Sequence, residues 1–249
     1  MSVRVMINKG SLLHISKDRE ILIREENFAY LLPCDKLKNI ISNFTITFPN
    51  RTIISDDYTI MPHGSVTLVL FYYQTELYSL LFGPATKSVK VGNIANKCDS
   101  IFIVEFQPAG FYPLKKINQN ELTDKIIPFS MMDTTLDTAM KKVFRTSLSV
   151  DELLYKFEKI ILQSILFQYP KELAHAIKVI IQTEGTMTSA DISEKIFYCP
   201  RHLNRLFNVH LGISMKSFSR LVRINKSFQL LNEKSNSLAS ICEKLGYYD

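Results

Sequence analysis

Residues 192–207 read I-S-E-K-I-F-Y-C-P-R-H-L-N-R-L-F, and the start of that stretch returns at residues 241–249 as I-C-E-K-L-G-Y-Y-D, 49 residues further on. Ile, Glu, Lys and Tyr are identical in the two copies, and Ile196 answers to Leu245. An internal repeat means that each copy is one supersecondary unit. The unit here is a short helix, a Tyr-containing turn and a second helix, complete only in the first copy. A pair of helix-turn-helix units is therefore predicted.

Helix signals are dense around the first copy. Thr188 is an N-cap for a helix over 189–196. Cys199 and Pro200 open the next, with Pro at the favoured first helical position. If Leu203, Leu206 and Phe207 face inward there, Arg201, Asn204, Arg205 and Asn208 face outward. Gly212, Ile213 and Ser214 supply a turn and a cap for a long basic helix over 215–231 that buries Phe218, Leu221, Val222 and Leu230. Upstream, an amphipathic helix over 172–182 is closed by Gly185, and the second copy opens at Ser237.

Charge follows the same division. The 249 residues carry a formal net charge of +6, with a pI near 9.0. Residues 1–170 hold 19 Lys and Arg against 17 Asp and Glu. Between 195 and 232 stand Lys195, Arg201, Arg205, Lys216, Arg220, Arg223 and Lys226 without one acidic side chain. Such a window suits an acidic partner, although a solvated helix face has the same composition. Arg201, Asn204 and Arg205 are spaced to share one helix face. Arg is built to read guanine O6 and N7, and Asn to read adenine, at the base edges of the major groove. Lys195, Lys216 and Arg220 are expected to meet phosphates, which give affinity without sequence reading.

The first 169 residues read differently. Short strands are expected over 3–7 and 21–23, a helical segment over 31–41, and then strands over 44–48, 65–73, 77–82 and 101–106 with Pro and Gly turns between them. That spacing indicates an antiparallel β barrel or sandwich, so the chain is assigned to the α+β class. From about residue 112 the pattern turns helical, with apolar stripes over 136–144 and 153–165 and a capping box at 149–152. The second stripe serves either the core of the first domain or a dimer seam. Pro170 ends it, giving domains of 1–169 and 170–249.

Several function classes find little support. The five His include no H-x-H or H-E-x-x-H pair, and His63 in Pro62-His63-Gly64 reads as a turn residue rather than a metal ligand. No G-x-S-x-G nucleophile motif occurs, and Cys98 lacks a neighbouring base. Neither an enzyme nor a cofactor is expected. Cys34, Cys98, Cys199 and Cys242 are scattered, as in a reducing compartment, and no apolar run approaches membrane-spanning length. A cytoplasmic protein without membrane contact follows.

From about residue 171 onward the chain resembles the DNA-binding domain of the AraC/XylS family of bacterial transcription regulators. The resemblance is carried by Asp191 and Ile192, Leu203, the run Arg205-Leu206-Phe207, the turn Gly212-Ile213-Ser214, Arg223, Leu230 and Leu231, Ile241, Leu245-Gly246-Tyr247 and Asp249. It implies two helix-turn-helix units joined by a long helix, with base contacts from positions 201, 204 and 205 in the helix over 200–208. Residues 25–130 are similar, more weakly, to a domain of unassigned function found ahead of such DNA-binding domains. Pro33 and Leu37, M-P-H-G at 61–64, L-F-G-P-A-T at 81–86 and F-Q-P-A-G-F-Y at 106–112 carry this second likeness. The implied partners are double-stranded DNA, a small-molecule effector or a second copy of the chain, and RNA polymerase if the regulator is an activator.

Four departures set further expectations. Phe197 stands where the family has a small turn residue and where the second copy has Gly246, so a distorted first turn is expected. Cys199 replaces the usual Ser cap, and Arg201 occupies a position that is often aromatic. The sequence ends at Asp249, where the second recognition helix would begin, so a loosely packed end and weakened DNA binding are expected. A sensor or interaction protein with a truncated regulator tail is the alternative.

Overall fold

The sequence alternates apolar and polar residues in the stretches that become its strands, and the sheet they form organises the first 130 residues. The structure, a computed structural model, describes residues 6–49, 57, 59–90, 93–233 and 237–247. In chain order the strands are β1 (Ile21–Arg24), β2 (Phe28–Leu31), β3 (Ile41–Thr47), β4 (Thr59–Ile60), β5 (Thr67–Tyr73), β6 (Glu76–Phe82), β7 (Val89–Lys90), β8 (Ser100–Phe106) and β9 (Ile126–Pro128). Seven of them form one antiparallel sheet in the order β1-β2-β3-β8-β5-β6-β9, and β4 pairs with β7. The expected antiparallel architecture is present, with β1 and β9 as the edges of the large sheet among the described residues.

Period-2 alternation aims Phe44, Phe102, Val104 and Phe106 at one face of the sheet. Helices α2 (Thr134–Thr146) and α3 (Val150–Ser164) lie against that face. The Phe102 ring sits 5.0 Å from Phe157 of α3, 5.9 Å from Phe144 of α2 and 5.7 Å from Phe44. Each such ring contributes about 1.5–3 kcal/mol by burial. Leu153, Leu154, Phe157 and Ile161 are fully buried there, so the stripe of α3 belongs to this core and is not free to act as a dimer seam. Arg19 secures the leader, with Nη1 2.7 Å from Oε1 and Nη2 3.1 Å from Oε2 of buried Glu158. The same carboxylate accepts the Cys34 N–H at 2.7 Å.

Three expectations for this half need correction. Residues 31–41 form only a 3-10 turn at Asp35–Leu37, because Leu37, Ile40 and Ile41 reach the core from a turn and a strand start rather than from one helical face. After α1 (Tyr112–Lys115) the chain makes β9 before the long helices begin. Helix α3 ends at Ser164, six residues before Pro170, which instead caps the next helix. The strand expected over 3–7 lies mostly outside the described residues, and Met6 and Ile7 are not in a strand.

The remaining helices are α4 (Lys171–Gln182), α5 (Ser189–Ile196), α6 (Pro200–Leu211), α7 (Met215–Asn232) and α8 (Leu238–Leu245). Leu173, Ile177, Ile180, Ile192, Leu203, Phe207, Phe218 and Leu221 form a second core. Ile241 and Leu245 of α8 pack on Leu230 of α7 and are buried, while Leu238 stays 70% exposed. The apolar face of α8 thus has a partner over two of its three residues.

The two cores meet where β-sheet loops touch α6 and α7. Ala109 belongs to the helical core. Gly64, at φ +68°, lies so close that an added Cβ would stand 3.0 Å from Ile213 and from Leu221. The Asn225 amide donates to the Pro62 carbonyl at 3.3 Å. The loops of the β-rich half therefore set the position of the helix-turn-helix unit.

Candidate nucleic-acid interface

Helix α5 begins with a reciprocal capping box between Thr188 and Asp191 and ends at Phe197. Phe197 adopts φ 60°, ψ 38°, and Gly246 at the end of α8 adopts φ 65°, ψ 38°. The two turns share one backbone conformation, so the expected distortion at Phe197 is absent. What differs is the cost, since a left-handed conformation is free for Gly and costs a side-chain-bearing residue about 1–2 kcal/mol. Cys199 provides no side-chain cap to α6, and Pro200 removes one donor that would otherwise lack a partner.

On α6, Leu203, Leu206 and Phe207 are buried, and Arg201 and Arg205 are exposed on the opposite side. Asn204 is half-buried, and its Oδ1 accepts the backbone N–H of Met215 at 3.2 Å, tying α6 to the first residue of α7. That bond occupies the oxygen which two-point reading of adenine would use. Spacing alone placed Asn204 outward and gave no sign of this second role.

The seven basic side chains of the acid-free window divide by environment. Arg223 donates to the Gly185 carbonyl through Nε at 3.1 Å and Nη2 at 2.9 Å, and its guanidinium lies 5.5 Å from the Tyr247 ring centre. Lys226 pairs with Glu184 at 3.0 Å. Lys195, Arg201, Arg205, Lys216 and Arg220 are exposed, and none has a carboxylate at ion-pair distance among the described residues. Among the described residues, five unpaired cations thus lie on α5, α6 and the start of α7, where a polyanion would neutralise them.

The far end of α6 is held by the β-rich half. The last carbonyls of a helix lack intrahelical donors. Here Thr123 Oγ1 donates to the Gly212 carbonyl at 2.6 Å. The Asn120 amide nitrogen, oriented toward the helix, lies 3.1 Å from that carbonyl and 2.9 Å from the Asn208 carbonyl. Gly212 sits at φ +78°, where an added Cβ would stand 2.6 Å from the Gln119 carbonyl oxygen. Beside it the buried His210 ring packs against Tyr112 at a tilt of 54°, with ring centres 4.0 Å apart and Nδ1 without a partner among the described residues. Burial and the nearby Arg205 charge push the His210 pKa down to about 4, against a smaller opposing pull from Glu172. Sequence reading found Gly212 as a turn but could not find Asn120 or Thr123, which come from the other half of the chain.

Other candidate groups have ordinary surroundings. The ring nitrogens of His63 face the Ser65 hydroxyl at 2.9 Å and the Thr67 hydroxyl at 3.4 Å, and burial lowers its pKa. Burial and Asp99 push the Cys98 thiol up to about 11, so it is protonated at neutral pH and a poor nucleophile. A polar cleft of about 360 Å³ lies beside Arg19, Cys34, Lys38 and Asp151. No helix among the described residues is long and apolar enough to cross a membrane.

Comparison with known proteins gives three kinds of likeness. A family model described as a domain of unknown function, DUF6597, matches residues 30–128. A segment of 57 residues is 35% identical to an uncharacterized HTH-type transcriptional regulator, YfiF, of Bacillus subtilis (strain 168). That segment is 23% of this chain and 18% of the relative, so the chain spans less than a fifth of the relative's length. Among solved structures, ToxT from Vibrio cholerae aligns over 79% of this chain and 87% of its own at 10% identity and a TM-score of 0.40. A second ToxT structure, from strain O395, covers 94% and 90% at 14% identity and a TM-score of 0.36.

Proposed function

We propose that the chain is a transcription regulator of the AraC/XylS type, in which α6 enters the major groove of double-stranded DNA. The observation that carries this reading is the set of five exposed cations, unpaired among the described residues, on α5, α6 and the start of α7. The 35% identity to an HTH-type regulator supports it. Arg201 and Arg205 read base edges. Lys195, Lys216 and Arg220 meet phosphates. Asn204 keeps its amide nitrogen for a base edge while its oxygen holds α7 in place. Residues 1–169 form the sensing or interaction half and residues 170–249 the reading half. The loops that contact the end of α6 and Asn225 of α7 connect them. On this reading the protein is not an enzyme, and it works in the cytoplasm.

The test uses duplexes selected by the full chain from a random-sequence pool, with binding followed by fluorescence anisotropy across a salt series. Arg205→Ala should cost about 1–3 kcal/mol and relax preference at one base pair. Lys216→Ala should weaken all sequences alike and reduce the salt slope by about one. Identical behaviour of both variants on selected and random DNA would refute the assignment of roles. A chain that selects no duplex would favour the sensor reading without DNA.

A further inference from the structure

Phe197 is costly in two ways that glycine would avoid. Its backbone sits at φ 60°, in the left-handed region, where Gly246 makes the same turn without strain. Its ring is 93% exposed, the highest value for a large apolar side chain among the described residues. A phenylalanine in this conformation, with its ring in water, gains nothing from the fold. A contact beyond the described residues would account for it.

The surroundings indicate what that partner is. Phe197 begins an exposed run, Phe197 to Arg201, that leads directly into α6. Lys195 precedes it and Arg201 follows it, both exposed and unpaired among the described residues. A partner here must be anionic and must also offer an apolar group next to the surface that α6 reads. A phenyl ring has no donor for a phosphate. In the major groove, the apolar feature among the base-edge acceptors is the C5-methyl group of thymine, which Phe can contact.

We propose that Phe197 reads the methyl group of a thymine at the edge of the site occupied by α6, which makes it a specificity-determining residue of the interface. This rests on the reading that α6 enters DNA, and the strain at Phe197 is retained because glycine would forfeit that contact.

The test uses the full chain and a duplex that it has selected from a random pool, with each thymine replaced in turn by deoxyuridine, which lacks only the methyl group. One such replacement should weaken the wild-type chain about four-fold, the equivalent of one buried methyl. Phe197→Gly and Phe197→Asn, both compatible with a left-handed backbone, should bind less tightly and be indifferent to that replacement. Phe197→Gly should also melt about 2–4 °C higher, since the strain is removed. Variants that hold the duplex as tightly as wild type overturn the proposal, and point the ring toward a protein partner. So does weakened binding with no thymine methyl to which the wild-type chain responds. Failure of the wider reading is distinct, because Arg205→Ala would then also leave binding unchanged.

Discussion

Acid should loosen the joint between the two halves of the molecule, and His210 is the group responsible. Its imidazole is buried against Tyr112 at the end of α6, and its Nδ1 lacks a partner, so a second proton there would be a buried charge close to Arg205. The ordinary value of 6.5 falls to about 4 in the folded chain. Between those values the unfolded state binds more protons than the folded one. Stability is therefore fully present above about pH 7 and is lost as pH falls toward 4. The difference amounts to about 3 kcal/mol at full expression, and to about 2–3 kcal/mol between pH 7.5 and 4.5. The assay is urea unfolding of the wild type and His210→Phe over that range. Phenylalanine keeps a ring against Tyr112, removes the titration and eliminates the buried unpartnered nitrogen. The variant should be about 1 kcal/mol more stable at pH 7.5 and lose less stability on acidification. His63, whose burial also lowers its pKa, contributes equally to both proteins and cancels. Parallel stability curves for the two proteins would refute the argument.

Two further substitutions examine how α6 is held. Gly212→Ala places a methyl 2.6 Å from the Gln119 carbonyl oxygen at φ +78°, so it should cost about 2–4 kcal/mol in thermal unfolding and speed hydrogen exchange in the last turn of α6. Asn204→Ala removes the acceptor for the Met215 N–H and should cost about 1 kcal/mol by urea titration. If its main effect on DNA were relaxed preference at one base pair with unchanged stability, base reading would be its role and the tie to α7 incidental.

The sequence was readable where one short segment determines the outcome. The repeat, the caps Thr188 and Ser214, and the turn at Gly246 are local signals, and each appears in the structure as written. Phe197 shows the limit of such reading. The turn chemistry asked for glycine there, yet the flanking helices impose the same φ and ψ on a phenylalanine. Residues 31–41 show another limit, because Leu37, Ile40 and Ile41 fit a helical stripe and are buried for a different reason. The stripe of α3 was visible, but the partner it faces was not, since Phe44 and Phe102 lie more than fifty residues upstream of Phe157. Least legible were the contacts that hold α6. Thr123 and Gly212 are 89 residues apart, and neither has a neighbour in sequence that announces the other.

Those long-range contacts place a limit on how the two halves can influence each other. Helix α6 has 12 residues and so is about 18 Å long. Its first half carries Arg201 and Arg205, and its last turn is fastened to residues 119–123 and Tyr112 of the β-rich half. The fastening consists of three side-chain-to-carbonyl hydrogen bonds and one tilted ring contact. At about 1 kcal/mol for each such contact, releasing it costs about 4 kcal/mol. Coupling between distant sites typically amounts to about 1–3 kcal/mol. On the proposed reading, a ligand on the β-rich half would therefore not have to release α6 completely to alter DNA binding. Differential binding strong enough to break one or two of these contacts is already of the size that regulation uses. Because the fastened end and the reading end belong to one rigid helix, tilting the first reorients the second. If α6 enters DNA as proposed, Asn120, Thr123 and Tyr112, which hold its far end, would belong to the reading apparatus as much as Arg201 and Arg205.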